Sequence, residues 1–304
     1  MGLLILLAVV VRVRLTRFKS VPKGFQNIIE ALVETMSNFA KSTMGDKLEG
    51  PGGSFFSIFA FILRSNYSGL VGLRPPTADL STPAALAPPG QSVNLGMPGV
   101  VLSRPISVAD WDIVGLDIVY KILGKGTAAM AKLPVGYEMD TLVGLGNGFS
   151  PEKAAGKSTV LIGGGVGVPP LYRLAKELVA VGNTPTVALG FAAKEDVFFQ
   201  KEFEDLGCTV HVATEDGSAG TQGFVTSILQ ELKYDYYFAC GPNAMLRAVY
   251  DLGQEKGAEG QLSFEERMGC GYGACMGCSC KTNGGFKRVC YDGPVFTSGE
   301  VIFE

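Results

Sequence analysis

The reactive residues of this chain are concentrated between Arg267 and Phe296, in the stretch RMGCGYGACMGCSCKTNGGFKRVCYDGPVF. Cys270, Cys275 and Cys278 are spaced C-x4-C-x2-C, and Cys290 follows after eleven residues. That spacing resembles the plant-type ligand pattern of a [2Fe-2S] cluster. Two irons need four thiolates; a tight loop delivers three, and a later segment brings the fourth. Gly269, Gly271, Gly273 and Gly277 let the backbone wrap close to the inorganic sulfides. Their amide hydrogens can then face the negative cluster and tune it.

Two other uses of these cysteines compete with that one. A structural zinc prefers two separated C-x2-C pairs, and one such pair is present. A disulfide framework belongs to short secreted chains, whereas this chain has 304 residues. Cys280, with a single residue between it and Cys278, reads as a neighbour of the site and not a ligand. Cys208 is isolated, and Cys240 sits in a C-G-P turn. The single histidine, His211, lies in TVHVAT and reads as a strand residue, which argues against a Ser-His-Asp hydrolase.

A second constellation is GGGVGVPP at 163–170, with Gly163, Gly164, Gly165, Gly167 and Val168 between an apolar strand and an amphipathic helix. Glycines there admit a pyrophosphate close to the backbone, and a helix start favours the anion. Val168 stands where the third glycine of G-x-G-x-x-G would be, so a plain tight turn is the competing reading.

The elements that must hold these motifs can be read in order. The length suggests about two domains. A net charge of −3 and a pI near 5.4 argue against nucleic acid as the main partner. From Pro89, PGQSVNLGMPG and VVLSRPISVADWD read as strand, turn and strand, DIVYKIL (117–123) as another strand, and GKGT opens a short helix. These short strands suggest a small β-barrel. STVLI, TPTVALGFA, TVHVAT and YDYYFAC then alternate with helices at LYRLAKELVAVG, EDVFFQKEFEDLG, FVTSILQEL and PNAMLRAVYDLGQEKG. That alternation predicts a doubly wound parallel sheet with ligands at its carboxyl edge. The expected fold class is therefore α/β plus β. Trp111 and the aromatics of DYYFAC are expected in the core.

The amino-terminal part differs in character. Mean hydropathy over the chain is +0.25. Residues 1–50 carry seven Lys/Arg against four acids, so they hold +3 and the remainder −6. The apolar run at 1–11 is short of the roughly 20 residues a membrane span needs, and its basic residues follow it, unlike a signal peptide. Residues 24–44 have the spacing of an amphipathic helix, and 54–63 are apolar again.

RPIS at 104–107, VYK at 119–121, GT at 126–127, the glycine loop and the C-G-P turn occur in the order found in ferredoxin reductase-like enzymes. With GLGNGF, CYDGPVF and the cysteine loop, residues 88–304 resemble the electron-transfer subunits of the NAD-dependent, two-subunit dihydroorotate dehydrogenases. The resemblance implies a domain 88–153 that is a truncated FAD-binding barrel. Arg104, Pro105, Ile106, Ser107, Val119, Tyr120, Lys121, Gly126 and Thr127 would contact FAD. It implies an NAD-binding domain 154–260, with Cys240, Gly241 and Pro242 lining the nicotinamide site beside the glycine loop, and a cluster domain 261–304. Lys194 is a candidate for the cofactor ribose. The absence of an arginine cluster after TVALGFA favours NAD over NADP. The implied partner is an FMN-containing catalytic subunit, in a heterotetramer, that oxidises dihydroorotate in pyrimidine biosynthesis; the implied location of 88–304 is cytoplasmic. The chain departs from the family where strands should precede PGQ, and an open barrel would expose apolar surface and strand edges. The flavin and iron-sulfur subunit of another NAD(P)H:ferredoxin-type oxidoreductase is the alternative within the same chemistry.

RLTRFKSVPKGFQNIIEALVETM and NYSGLVGLRPPTADLSTPAALA are similar to the early part of subunit a of the ATP synthase membrane sector. That resemblance covers about residues 3–87 and gives the segment its membrane character. It carries none of the later helices that translocate protons in that family. The expectation is a chimera joined near Ala87–Pro89, with a membrane-sector fragment or a nonfunctional fusion as further alternatives.

Overall fold

The computed structural model describes residues 88–96, 99, 102–112 and 115–303. The helical and apolar stretches expected within 1–87 lie outside the described residues.

The first described elements form an antiparallel sheet: β1 (Ser92–Leu95), β2 (Arg104–Trp111), β3 (Leu116–Ile118) and β4 (Thr141–Leu145), in the order β3-β2-β1-β4. Val93, Leu95, Val108 and Trp111 bury one face, and Met130 of α1 (Lys125–Met130) packs against them. The strand expected at 117–123 ends at Ile118, and the chain continues without regular structure through Val119–Leu123. Several large apolar side chains near this sheet are exposed, among them Leu102, Ile122, Leu123, Val135 and Leu142.

The larger sheet has seven strands in the order β13-β10-β9-β5-β6-β7-β8. These are β5 (Thr159–Gly164), β6 (Thr186–Phe191), β7 (Thr209–Thr214), β8 (Thr221–Gln222), β9 (Tyr236–Cys240), β10 (Glu259–Ser263) and β13 (Val295–Thr297). All neighbours run parallel except β13, which is antiparallel to β10. The central strands β5 and β9 are buried at every position, as strands covered on both faces must be. Helix α2 (Pro169–Ala180) turns Leu171, Leu174, Ala175 and Leu178 inward, one stripe at helical spacing. Helices α3 (Gln200–Asp205), α4 (Val225–Glu231) and α5 (Asn243–Lys256) complete the layers. Helix α3 is shorter than the pattern EDVFFQKEFEDLG suggests, because its first residues form a separate 3-10 turn at Lys194–Asp196. A hairpin of β11 (Ser279–Thr282) and β12 (Gly285–Arg288) follows the cysteine loop.

Strands β10 and β13 extend the large sheet with residues from both sides of the expected boundary at 260. EGQLS lacks an apolar run, so its burial comes from its neighbours: Leu262 and Ser263 pair with Ala239 and Cys240 on one side and with Phe296 and Val295 on the other. The two sheets are tied by side chains. Lys176 and Arg173 of α2 both reach Asp110 of β2, and the Arg173 guanidinium lies 4.1 Å from the centre of the Trp111 ring. Among the described residues no helix is long and apolar enough to cross a membrane.

Candidate nucleotide cleft and cluster loop

Strand order reverses between β5 and β9, because β6 follows β5 on one side while β9 pairs on the other. A crevice forms at such a switch point, outside the carboxyl ends of the strands. The two loops that leave these strands are GGGVG and C-G-P. Gly163 stands opposite Cys240 in the ladder. A β-carbon on Gly164 would lie 2.6 Å from Met245 Sδ, and one on Gly163 would lie 2.8 Å from Val168 Cγ2. Val168 thus fills the space beside Gly163, which explains a valine at the third glycine position. Helix α2 starts with Pro169 and Pro170, which lack N–H groups. The amide of Val168 is already bonded to the Gly165 carbonyl. The loop therefore offers close backbone approach, and few free helix amides for an anion.

The crevice opens into a cleft of about 780 Å³. Gly164, Gly165 and Pro242 line it, and so do Val119, Tyr120 and Lys121 from the segment after β3. Lys194 is not among its lining residues; the neighbouring Glu195 and Asp196 are, with Glu215 from the end of β7. Phe224, largely exposed, and Met245 also face it. Sequence reasoning missed these last residues, since each is ordinary in its local context. Cys240 is buried, and desolvation pushes its thiol up to about 12, so it stays neutral.

Arg104 and Gly126 meet beside the small sheet. A β-carbon on Gly126 would lie 2.2 Å from Arg104 Nε, so the guanidinium rests on the start of α1. Arg104 Nη1 donates to the carbonyls of Leu102 (2.9 Å) and Ser103 (3.3 Å). Thr127 is engaged locally: its Oγ1 accepts from the amides of Leu123 (3.0 Å) and Gly124 (3.2 Å), capping α1. Ser107 Oγ lies 3.4 Å from Ser92 Oγ on the paired strand.

The cysteine loop brings its sulfurs together in two pairs. The Cys275 amide donates to Cys270 Sγ (3.5 Å), and the Cys290 amide to Cys278 Sγ (3.4 Å). The Gly277 amide also donates to Cys275 Sγ (3.4 Å). Backbone amides of Cys275 and Tyr272 favour the thiolate and lower Cys270 to about 6. Cys290 is raised to about 12, first by burial and then by the Cys278 sulfur beside it. Among the described residues no three thiol, carboxylate or imidazole groups converge on one ion. Two sulfur pairs suit two irons with two thiolates each, whereas one zinc would need its ligands around a single point. Cys280 turns instead toward Phe264, Phe296 and Phe303, lining a separate small pocket.

Arg288 and Asn147, unremarked in the sequence, hold this loop in place. Arg288 Nη1 donates to the Gly273 carbonyl (2.9 Å), while its Nε pairs with Asp292 (3.0 Å). Asn147 of GLGNGF donates to the carbonyls of Asp292 (3.1 Å) and Val295 (2.8 Å) and accepts from the Val295 amide (2.9 Å). That bracket explains why GLGNGF and CYDGPVF occur together. On the other side of the loop, Asn94 Nδ2 of β1 donates to the Cys270 carbonyl (3.3 Å), and Asn94 pairs with Pro105 of RPIS.

Comparison with known proteins bears on the same residues. Residues 265–302 match the iron-sulfur cluster binding domain of dihydroorotate dehydrogenase B. The chain is 44% identical over 225 residues to the "Dihydroorotate dehydrogenase B (NAD(+)), electron transfer subunit" of a Geobacillus species, covering 70% of this chain and 86% of that one. It is 43% identical over 229 residues to the subunit of the same name from Shouchella clausii, covering 71% of this chain and 87% of that one. This chain belongs to the family of dihydroorotate dehydrogenase B electron transfer subunits. A solved structure described as an NADH-dependent reduced ferredoxin-NADP oxidoreductase, from work on flavin-based electron bifurcation, superposes with a TM-score of 0.65 at 31% identity, covering 74% of this chain and 83% of that one. The fold is thus ferredoxin reductase-like, with a four-stranded antiparallel sheet, a seven-stranded mixed sheet and a two-stranded hairpin among the described residues. Residues 1–89 match a different family, the ATP synthase A chain.

Proposed function

We propose that this chain is the NAD-linked electron-transfer subunit of a dihydroorotate dehydrogenase, working with FAD, a [2Fe-2S] cluster and NAD. Family membership carries the reading. The docking of the Cys270 loop on the strand paired with RPIS supports it, since both cofactor sites must be adjacent for electrons to pass. Bound here, the cluster supplies one-electron steps and the flavin converts them to a hydride for NAD.

The residues of this chain divide that work. Cys270 and Cys275 would hold one iron, Cys278 and Cys290 the other. Arg104, resting on Gly126, suits the flavin diphosphate, because a planar guanidinium binds phosphate oxygens two at a time. Pro105, Ile106 and Ser107 would face the ring, with Val119, Tyr120 and Lys121 closing the cleft wall. Gly163, Gly164, Gly165, Gly167 and Val168 would admit the NAD pyrophosphate, and Cys240, Gly241 and Pro242 its nicotinamide end. Glu195, Asp196 and Glu215 line the cleft and would repel a 2′-phosphate, which supports NAD over NADP.

The partner we infer is an FMN-bearing catalytic subunit that oxidises dihydroorotate to orotate, in a heterotetramer. Domains divide at about 88–153, 154–260 and 261–304 in this reading, with the first as a shortened flavin barrel. Residues 1–87 we attribute to a fused ATP synthase fragment joined near Ala87–Pro89. Amplification of one continuous transcript across that join would refute an artefactual fusion.

Anaerobic purification followed by visible and EPR spectroscopy tests the function. The expected result is flavin absorbance with a two-iron signal, and co-purification of an FMN protein. A colourless protein, or a large iron-sulfur partner in place of the FMN protein, would overturn it. The second outcome would favour the NAD(P)H:ferredoxin-type alternative, which the solved neighbour resembles.

A further inference from the structure

Among the contacts between the small sheet and the cysteine loop is one side chain with an unusual environment, Asn94. Asn94 sits mid-strand in β1, between Pro105 of β2 and Leu142 of β4. It is 6% exposed, deep for a carboxamide. Its Nδ2 donates to the Cys270 carbonyl, 176 residues away. The contact is closely fitted, because Gly271 adopts a φ of +77° and a β-carbon there would lie 2.3 Å from Asn94 Nδ2. Yet Asn94 Oδ1 is buried without a hydrogen-bond partner.

A buried acceptor left unmade destabilises the fold, and an apolar residue of similar size would leave no such group on this face, the one opposite Val93 and Leu95. An asparagine here is therefore poorly explained by sheet stability alone. What it does that an apolar residue cannot is fix the backbone of the first cysteine ligand against the strand that pairs with RPIS. The Cys270 carbonyl is part of the polypeptide that wraps the cluster, and a donor to it withdraws electron density from that side of the site.

We propose that Asn94 is a positioning residue for electron transfer: its carboxamide holds the Cys270 end of the cluster loop against the flavin-bearing sheet and so sets the separation and electrostatics between the two cofactors. The inference rests on the function proposed above. Through the carbonyl bond, the residue acts on the loop and not on the reacting atoms. A side chain of the same size without donors should leave the sheet intact and release the loop.

The test compares full-length wild type with Asn94→Leu, Asn94→Ala and Asn94→His, the last retaining a ring N–H donor. Amide hydrogen exchange over residues 268–277 in cluster-free protein reads the loop directly. Exchange should rise at least tenfold in Asn94→Leu and Asn94→Ala and return toward wild type in Asn94→His. In protein carrying both cofactors, the leucine and alanine variants should show an altered cluster EPR line shape. Their transfer of electrons from NADH-reduced flavin to the cluster should slow about tenfold, with the flavin-to-iron ratio unchanged. Wild-type protein showing both cofactor signals, with all three variants matching it in exchange, EPR and transfer rate, would overturn this inference alone. Wild-type protein lacking both signals would overturn the underlying function and this inference with it. Should the leucine variant fail to fold, the alanine and histidine pair decides by the same readouts.

Discussion

Gly167 and Cys240 lie so close that a β-carbon on the glycine would sit 2.2 Å from the cysteine carbonyl oxygen. The loop after β5 and the turn after β9 are thus packed backbone against backbone at the point where strand order reverses. Because the clash is with main chain, no rotamer change relieves it. Gly167→Ala should destabilise the protein by about 1–3 kcal/mol, the usual cost of overpacking a tight site. It should also weaken NADH binding at least tenfold, as measured by thermal unfolding and by nucleotide titration.

Asn147 predicts a second loss. Its carboxamide makes three hydrogen bonds to the backbone of Asp292 and Val295. Asn147→Ala leaves the partly buried Val295 carbonyl and amide unmet, at about 2–3 kcal/mol. The denaturant midpoint should fall with little change in its slope.

Lys176 and Asp110 bind the large sheet to the small one, with the Asp110 side chain only 16% exposed. Asp110→Ala removes the partner of both Lys176 and Arg173. The expected cost is about 1–3 kcal/mol, between that of an exposed pair and a buried one. Faster proteolysis in the segments joining the two sheets would accompany it.

Glu300 gives a pH dependence. Its bond to Lys287, with help from Thr297, holds its carboxyl at about 2, below the ordinary 4.5. Between those values the unfolded chain binds more protons at this site than the folded one. The stabilisation is therefore present above about 4.5 and is lost as pH falls toward about 2. The difference in unfolding midpoint between wild type and Glu300→Gln should be largest above pH 5 and shrink toward pH 2, the comparison cancelling acid effects on the cysteines.

Substitution of the proposed ligand Cys278 and of its neighbour Cys280 tests the ligand assignment. Cys278→Ser should abolish the two-iron EPR signal, whereas Cys280→Ser should retain it, since Cys280 faces the phenylalanine-lined pocket.

The chemistry of this chain was legible where it depends on local spacing. Cys270, Cys275 and Cys278 fall within one loop, at the intervals the proposed cluster would need. GGGVG and C-G-P were readable for the same reason, as were strands such as β5 and β9, whose apolar runs reflect burial on both faces. Cys290 is proposed as the fourth ligand because its gap also belongs to the pattern.

Tertiary structure alone decided which of these motifs meet. Val119–Lys121 reads as a strand by composition, yet it leaves the sheet and reaches the cleft beside Gly164 and Pro242. EGQLS becomes a buried strand only because β9 and β13 flank it. Glu195, Asp196 and Glu215 look like ordinary surface acids until β6 and β7 bring their loops to one rim. Asn94 and Asn147 act on residues 176 and 148 positions away. A carboxamide has no sequence period and no motif; its partner is set by where the folded backbone places an unpaired carbonyl, and that is a property of the whole packing.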